Sequence, residues 1–255
     1  MSAKGQYIAF LTILRKEMKR IMRVWSQALL PSIVTSALYF TVFGNILGRK
    51  IGTIEELPYI KFILPGLVLM NVISNSYSNT SFTVFSERFH RSMEEIVKSP
   101  AKDYVIIGGY VSGSIFRGVF SGLAIVVVAS FFTDIYIESY LLLALILLTT
   151  AMLFAVLGFI NGMFAKNWDD VSWISTFVLT PLSYLGGIFY SVQNLPEIWQ
   201  KVSLLNPIYY FIDSFRYAMT GVSSISPWNS VLVSLIFTAA AWTASIILFK
   251  RLMKN

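Results

Sequence analysis

The chain has 255 residues, 56% of them hydrophobic and only 13% charged, with a mean hydropathy of +0.67, about half the charge usual in soluble domains. That excludes an ordinary cytosolic enzyme, and with no cysteine and one histidine it also excludes disulfide frames, thiolate nucleophiles and Cys/His zinc sites. The net charge of +7, from 20 Lys+Arg against 13 Asp+Glu, is compatible with nucleic acid, anionic lipid or membrane orientation, and the distribution of the charges decides between them.

Residues 1–25 read as an amphipathic helix. Leu11, Leu14, Met18, Ile21, Met22 and Trp25 fall at helical spacings, with Arg15, Lys16, Lys19, Arg20 and Arg23 opposite. Such a helix lies in a membrane surface with its basic side toward anionic headgroups. Membrane lipid is therefore an expected partner and nucleic acid is not, because no partner fold presents the helix. The strongest basic cluster follows the first apolar run, the reverse of a cleaved signal peptide, so the segment reads as mature protein.

Six apolar segments follow, at about 26–48, 59–84, 104–132, 138–165, 171–191 and 228–249, each near the roughly 20 residues that cross a bilayer as a helix. The fold class expected is all-α and polytopic, a single transmembrane domain over 1–255. Fourteen basic residues lie before the first span, between the second and third, after the fourth and at the C-terminus (Lys250, Arg251 and Lys254). Five (Arg49, Lys50, Lys61, Lys201 and Arg216) lie on the other side, with Arg117 between. The positive-inside rule makes the first set cytoplasmic, both termini included.

The spans carry irregularities. In the second, Pro65-Gly66 predicts a bend, and Asn71, Asn75 and Asn79 recur every four residues beside Ser74, Ser78 and Ser81. Lipid penalises such a stripe, so it faces other helices or a water-filled cavity. Interhelical hydrogen bonding and the lining of a translocation path both fit. The third span carries Gly109, Gly113, Ser114, Gly118 and Gly122, spacings that let helices approach closely, and also Arg117. Arg117 either snorkels to the cytoplasmic end or contacts an ion-pair partner or substrate within the bundle. No carboxylate in the apolar cores is an obvious counter-ion.

Residues 85–103 read as a cytosolic loop with a short helix ending before Ser99-Pro100. Glu87, Arg88, Arg91, Glu94 and Glu95 give it a surface suited to a charged protein groove, although a solvated connector has similar composition. His90 reads as a bystander and Asp169-Asp170 as a solvated turn. On the outer side, 191–227 holds two short helices. Asn194, Pro196 and Glu197 open a run with Ile198, Trp199 and Val202; Asn206-Pro207 opens another with Phe211 and Phe215. They dip into the outer leaflet, with Asp213 and Arg216 spaced to pair. No G-x-x-x-x-G-K-[ST] phosphate loop and no Ser/His/Asp arrangement is present, so the chain is not expected to be an enzyme.

The stretch TPLSYLGGIFYSVQNLPEIWQKVSLLNPIYYFIDSFRY resembles the signature of ABC-2 type permeases, SERFHRSMEEIVKSP that family's segment between spans two and three, and FILPGLVLMNVISNSYSN its second span. The resemblance implies that two six-span chains pair and that each docks one cytosolic ATPase subunit, which binds the ATP and Mg. This chain then binds no cofactor or metal and exports its substrate by alternating access. Glu87, Arg88, Arg91, Met93, Glu94 and Glu95 would belong to a coupling helix in the ATPase groove, and 194–216, with Pro196, Trp199, Asn206, Pro207 and Arg216, to outer re-entrant helices. Asn71, Asn75, Asn79, Arg117 and Tyr184 are the candidate path lining. Tyr39, Phe40, Phe43, Tyr77, Phe177, Tyr184 and Tyr190 lack a spacing that marks a sugar path, so lipid, glycan, drug and peptide stay open as substrates. The rival readings are an ion-coupled secondary carrier, which needs midplane carboxylates and related halves, and a non-transporting anchor subunit.

Overall fold

The computed structural model describes residues 2–253; Lys254, counted above among the basic residues, lies outside them. The chain begins with α1 (Ala3–Arg23), started by Ser2, whose hydroxyl accepts from the Gly5 amide. Its packing face differs from the apolar stripe that the spacing predicts. Gln6, Ile13, Glu17 and Ile21 are buried, whereas Met22 and Trp25 stay about half exposed and free to meet lipid. The reason lies in the third span, where glycines open notches in its surface. A Cβ at Gly109 would sit 2.6 Å from Ile13, and one at Gly113 2.6 Å from Glu17.

Five helical segments among the described residues are long and apolar enough to cross a membrane. The first runs from α2 (Trp25–Tyr39) through a π-helical stretch (Phe40–Leu47) into α3 (Gly48–Ile51). A small hairpin not foreseen from the sequence follows, β1 (Thr53–Ile54) against β2 (Leu57–Pro58), paired Thr53 to Pro58 and Ile54 to Leu57. The second span is α4 (Tyr59–Phe89), leading through α5 (Ser92–Lys98) to the third, α6 (Asp103–Ala129). The fourth is α7 (Tyr140–Phe164).

The expected span at 171–191 takes another form. It is α8 (Trp168–Ile174), a π-helical turn (Ser175–Leu179) and α9 (Thr180–Leu185), together about 27 Å at 1.5 Å per residue, and it is not among the five. Asp169 and Asp170 occupy its first turn, and it stops at Gly186-Gly187, where Gly187 adopts φ +78°, a region open to glycine. The expected apolar run continued into Ile188 and Phe189, which belong to the turn back. Then come α10 (Glu197–Leu205), α11 (Pro207–Thr220) and the long α12 (Pro227–Met253), the last of the five.

The helix α4 is the centre of the bundle, packed by α6, α7 and α11. Its most apolar stretch is 72% buried, against 18% for that of the first span and 28% for that of the last. Small residues permit this crowding. A Cβ at Gly158 of α7 would fall on the Tyr77 carbonyl of α4, one at Gly162 would meet Ser81, and one at Gly122 of α6 would meet Val72. Across the centre runs one apolar core that includes Phe62, Leu67, Val72, Phe154 and Phe211. A second, around Ile106, Val156, Phe159 and Phe249, lies toward the end where α1 and α5 sit.

That end gathers the basic segments. Gln6 of α1 donates to the Pro100 carbonyl (3.1 Å) and accepts from the Lys102 amide (2.9 Å); Lys16 pairs with Glu87 at 2.5 Å; and Arg88 reaches the carbonyls of Gly162 and Ala165, beside Lys166.

Candidate functional site

The asparagine stripe is a ladder of bonds between helices. Asn71 Nδ2 donates to Ser36 on α2 (3.2 Å) and to the Leu67 carbonyl (3.0 Å). Asn75 Nδ2 reaches Ser121 on α6 (3.0 Å), Ser32 on α2 (3.3 Å) and the Asn71 carbonyl (3.0 Å). Asn79 Nδ2 donates to Ser114 on α6 at 2.7 Å. In an apolar surrounding each amide needs such partners, and serines from two neighbouring helices supply them.

Asn79 also holds a charged hub. Its Oδ1 accepts from Arg20 Nη2 of α1 and from Arg117 Nη1 of α6, each at 3.0 Å. Arg20 bonds Glu17 Oε2 at 2.6 Å, one turn back on α1. Arg117 therefore has a neutral amide oxygen as its partner. Glu17 is 1% exposed, and burial raises its carboxyl above the usual range while Arg20 opposes the shift. Spacing alone singles out neither Arg20 nor Glu17; the signal in the sequence is a single acid among the five cations of residues 15–23.

The segment 85–103 divides into anchors and outward groups. Met93 is 1% exposed and packs with Val84 and Ile106. Arg88 Nη1 donates to the Gly162 and Ala165 carbonyls at 3.0 and 3.2 Å, closing the C-terminus of α7. Glu87 is held by Lys16. Arg91 turns the chain with φ +62°, and Arg91, Glu94 and Glu95 are exposed, Glu94 facing Lys98 at 3.9 Å. A groove of about 580 Å³ runs beside them, lined by Phe85, Phe89, Met93, Glu94 and Lys166 among others. Trp168 packs against Phe85 and Phe89 of this lining, at centroid distances of 4.6 and 5.9 Å. His90 bonds its own helix, at the Ser86 carbonyl.

At the opposite end, Asn206 caps α11 by accepting from the Ile208 amide (3.0 Å) and donates to the Leu182 carbonyl (2.6 Å), with Pro207 in the first turn. Pro196 precedes α10, on which Trp199 is half exposed. Asp213 and Arg216 take separate hydrogen-bond partners. The Asp213 carboxylate accepts from the Ser224 and Ile225 amides at 2.8 and 3.3 Å, and burial raises its carboxyl against those bonds and the pull of Arg216. Arg216, 2% exposed, donates to the Gly187 carbonyl at 2.6 Å and lies over the Phe62 ring at 3.9 Å. Arg216 thus fastens the Gly-Gly turn to α4. Glu55 of the hairpin accepts from Ser191 (2.5 Å) and Ser224 (3.0 Å), clasping the same region.

Tyr184 sits in an aromatic group. Its hydroxyl lies 3.3 Å from that of Tyr39, and Phe189 contacts Tyr39, Phe43 and Tyr184 at centroid distances of 5.9, 5.0 and 5.7 Å. Residues scattered in sequence thereby join the first span to the end of α9.

The site is an apolar bundle with a polar seam along α4, a braced helix at one end and clasped short helices at the other. The ABC-2 type transporter family matches over residues 8–220. The chain is 43% identical over 234 residues, 92% of its length and 91% of the relative's, to the inner membrane transport permease YadH of Escherichia coli (strain K12). It is 26% identical over 208 residues, 79% of each chain, to nodulation protein J of Sinorhizobium fredii (strain NBRC 101917 / NGR234). With the match extending across the asparagine ladder, the braced helix and the clasped outer helices, this chain belongs to the ABC-2 type transporter family, as a membrane-embedded permease subunit.

Proposed function

We propose that the chain is the transmembrane half of an ATP-driven exporter in a bacterial inner membrane, with both termini cytoplasmic. Two copies pair, each docks one cytosolic ATPase subunit carrying ATP and Mg, and ATPase closure switches the pair from inward to outward access. The observation that carries this reading is α5, a short helix whose outer side presents Arg91, Glu94 and Glu95 while Met93 and the adjoining Arg88 fix it to the bundle. A helix held in that way passes a push to α4, α6 and α7 instead of absorbing it. Pairing is supported by the first span, the least buried of the five, where Leu30, Val34 and Leu38 are all more than half exposed. The collected basic segments at one end support the orientation. The cargo class is lipid, glycan or drug-like.

Reversal of both acids, Glu94→Lys with Glu95→Lys, is expected to abolish stimulation of the ATPase and transport while the chain still inserts and melts normally, because both side chains are exposed. Unaltered stimulation in reconstituted vesicles would refute the coupling role.

We also propose that the seam with Asn71, Asn75, Asn79, Arg117 and Tyr184 borders the path. Its support is that α2, which carries Ser32 and Ser36, is the peripheral partner in the ladder, so a shift of α2 uncovers Asn71 and Asn75. Cysteines at 71 and 75 are expected to react with a water-soluble thiol reagent in one nucleotide state only; equal protection in both states would make the seam a packing device.

A further inference from the structure

The hub around Asn79 borders a cavity of about 450 Å³ between α1, α2, α4 and α6, lined by Arg20, Val24, Gln27, Ser78, Phe82 and Arg117. Two guanidiniums stand in its wall, and the charges around them do not balance. Glu17 is bonded to Arg20, Glu87 is taken by Lys16, and among the described residues no carboxylate lies within ion-pair distance of Arg117. The two arginines share one neutral oxygen, and the Nε of each is buried without an acceptor. A cation withdrawn from water at this depth is costly unless an anion answers it, and guanidinium donors suit the oxygens of a phosphate.

The rest of the wall fits the remainder of such a molecule. Gln27 and Ser78 offer neutral hydrogen-bonding groups, Val24 and the half-exposed Phe82 offer apolar surface, and Trp25 is exposed next to Val24. The cavity lies where the surface helix α1 passes into the first span, the level at which lipid headgroups meet acyl chains.

We infer that this cavity is a binding site for a phosphate-bearing anionic lipid, with Arg20 and Arg117 on the headgroup phosphate. The inference rests on the membrane reading of α2, α4 and α6 and needs no ATPase, so it stands or falls separately from the coupling role of α5.

The test uses the purified full-length chain in neutral detergent, titrated with phosphatidylglycerol, phosphatidylcholine or inorganic phosphate, with the melting temperature as readout. Phosphatidylglycerol is expected to raise it saturably and phosphatidylcholine is not. Arg117→Gln is expected to weaken the apparent affinity for phosphatidylglycerol at least tenfold, whereas Lys201→Gln, the same loss of charge on exposed α10, leaves it as in the parent. Should Arg117→Gln fail to fold, Ser78→Asp places an anion in the cavity; it is expected to raise the lipid-free melting temperature and remove the phosphatidylglycerol shift. Inorganic phosphate is expected to have no effect, and a phosphate shift equal to that of phosphatidylglycerol would overturn the lipid assignment in favour of a free anion. Equal responses to the two lipids, or parental affinity in a folded Arg117→Gln or Ser78→Asp protein, would overturn the site itself.

Discussion

Arg216→Met is expected to destabilise the folded chain by roughly 3–5 kcal/mol, the cost of removing one member of a buried charged arrangement. The loss has three sources in the structure. The Gly187 carbonyl loses a charge-assisted bond of 2.6 Å, the Phe62 ring loses the guanidinium stacked on it, and Asp213 remains buried with its charge no longer opposed. Arg216→Lys should rescue little, because an ammonium cannot both lie flat on the ring and reach the carbonyl. Adding Asp213→Asn to Arg216→Met should recover part of the loss. Denaturant unfolding in detergent, followed by far-ultraviolet circular dichroism, measures all three; a single variant within about 1 kcal/mol of the parent would show that the Gly-Gly turn is held by something else.

The second large effect is expected at Asn79. Asn79→Ala removes the acceptor shared by Arg20 and Arg117 and the donor to Ser114. Hydrogen bonds to charged groups contribute roughly 1.5–3 kcal/mol each, so a loss of at least about 3 kcal/mol is expected. Asn71→Ala, which gives up one bond to Ser36 and one within its own helix, should cost about 1 kcal/mol, as for a typical neutral bond. The contrast is the test: similar losses at 71 and 79 would mean that the two guanidiniums draw nothing from the amide.

What could be read in advance follows the range of the interactions involved. Five spans were legible because hydropathy is a property of consecutive residues, and the short helix before Ser99-Pro100 because a proline constrains its neighbour. The expected span at 171–191 ended early for a conformational reason, since Gly187 takes a positive φ and Ile188 belongs to the turn that follows, packed on Gly66. The 53–58 hairpin is not legible in the sequence because Glu55 and Glu56 occupy its turn with φ of +51° and +65°, where glycine or asparagine is the usual signal. The partner of Arg117 was beyond reach for a different cause. It is an amide on α4 shared with an arginine from α1, a meeting of three helices that no spacing along one of them encodes. Met93 shows the same limit: Ser92 and Glu94 flank it in a polar stretch, and only the packing around α5, with Val84 of α4 and Ile106 of α6 in the same cluster, explains why it is buried.

The π-helical stretch at Phe40–Leu47 has a consequence for chain length. A wider turn accommodates a surplus residue that the regular α geometry would expel, so shortening this stretch by a single deletion returns it to ordinary pitch. Every side chain beyond the deletion would then keep its register with those before the stretch, whereas the same deletion in the regular turns of α2 would swing all that follows by about 100° around the axis and shift it by about 1.5 Å along it. Phe43, whose ring packs tilted against Phe189 at 5.0 Å between centroids, lies inside the stretch, so that contact is the one such a deletion disturbs. In this part of the chain a one-residue loss is absorbed locally, where in the regular spans it would be passed along the helix.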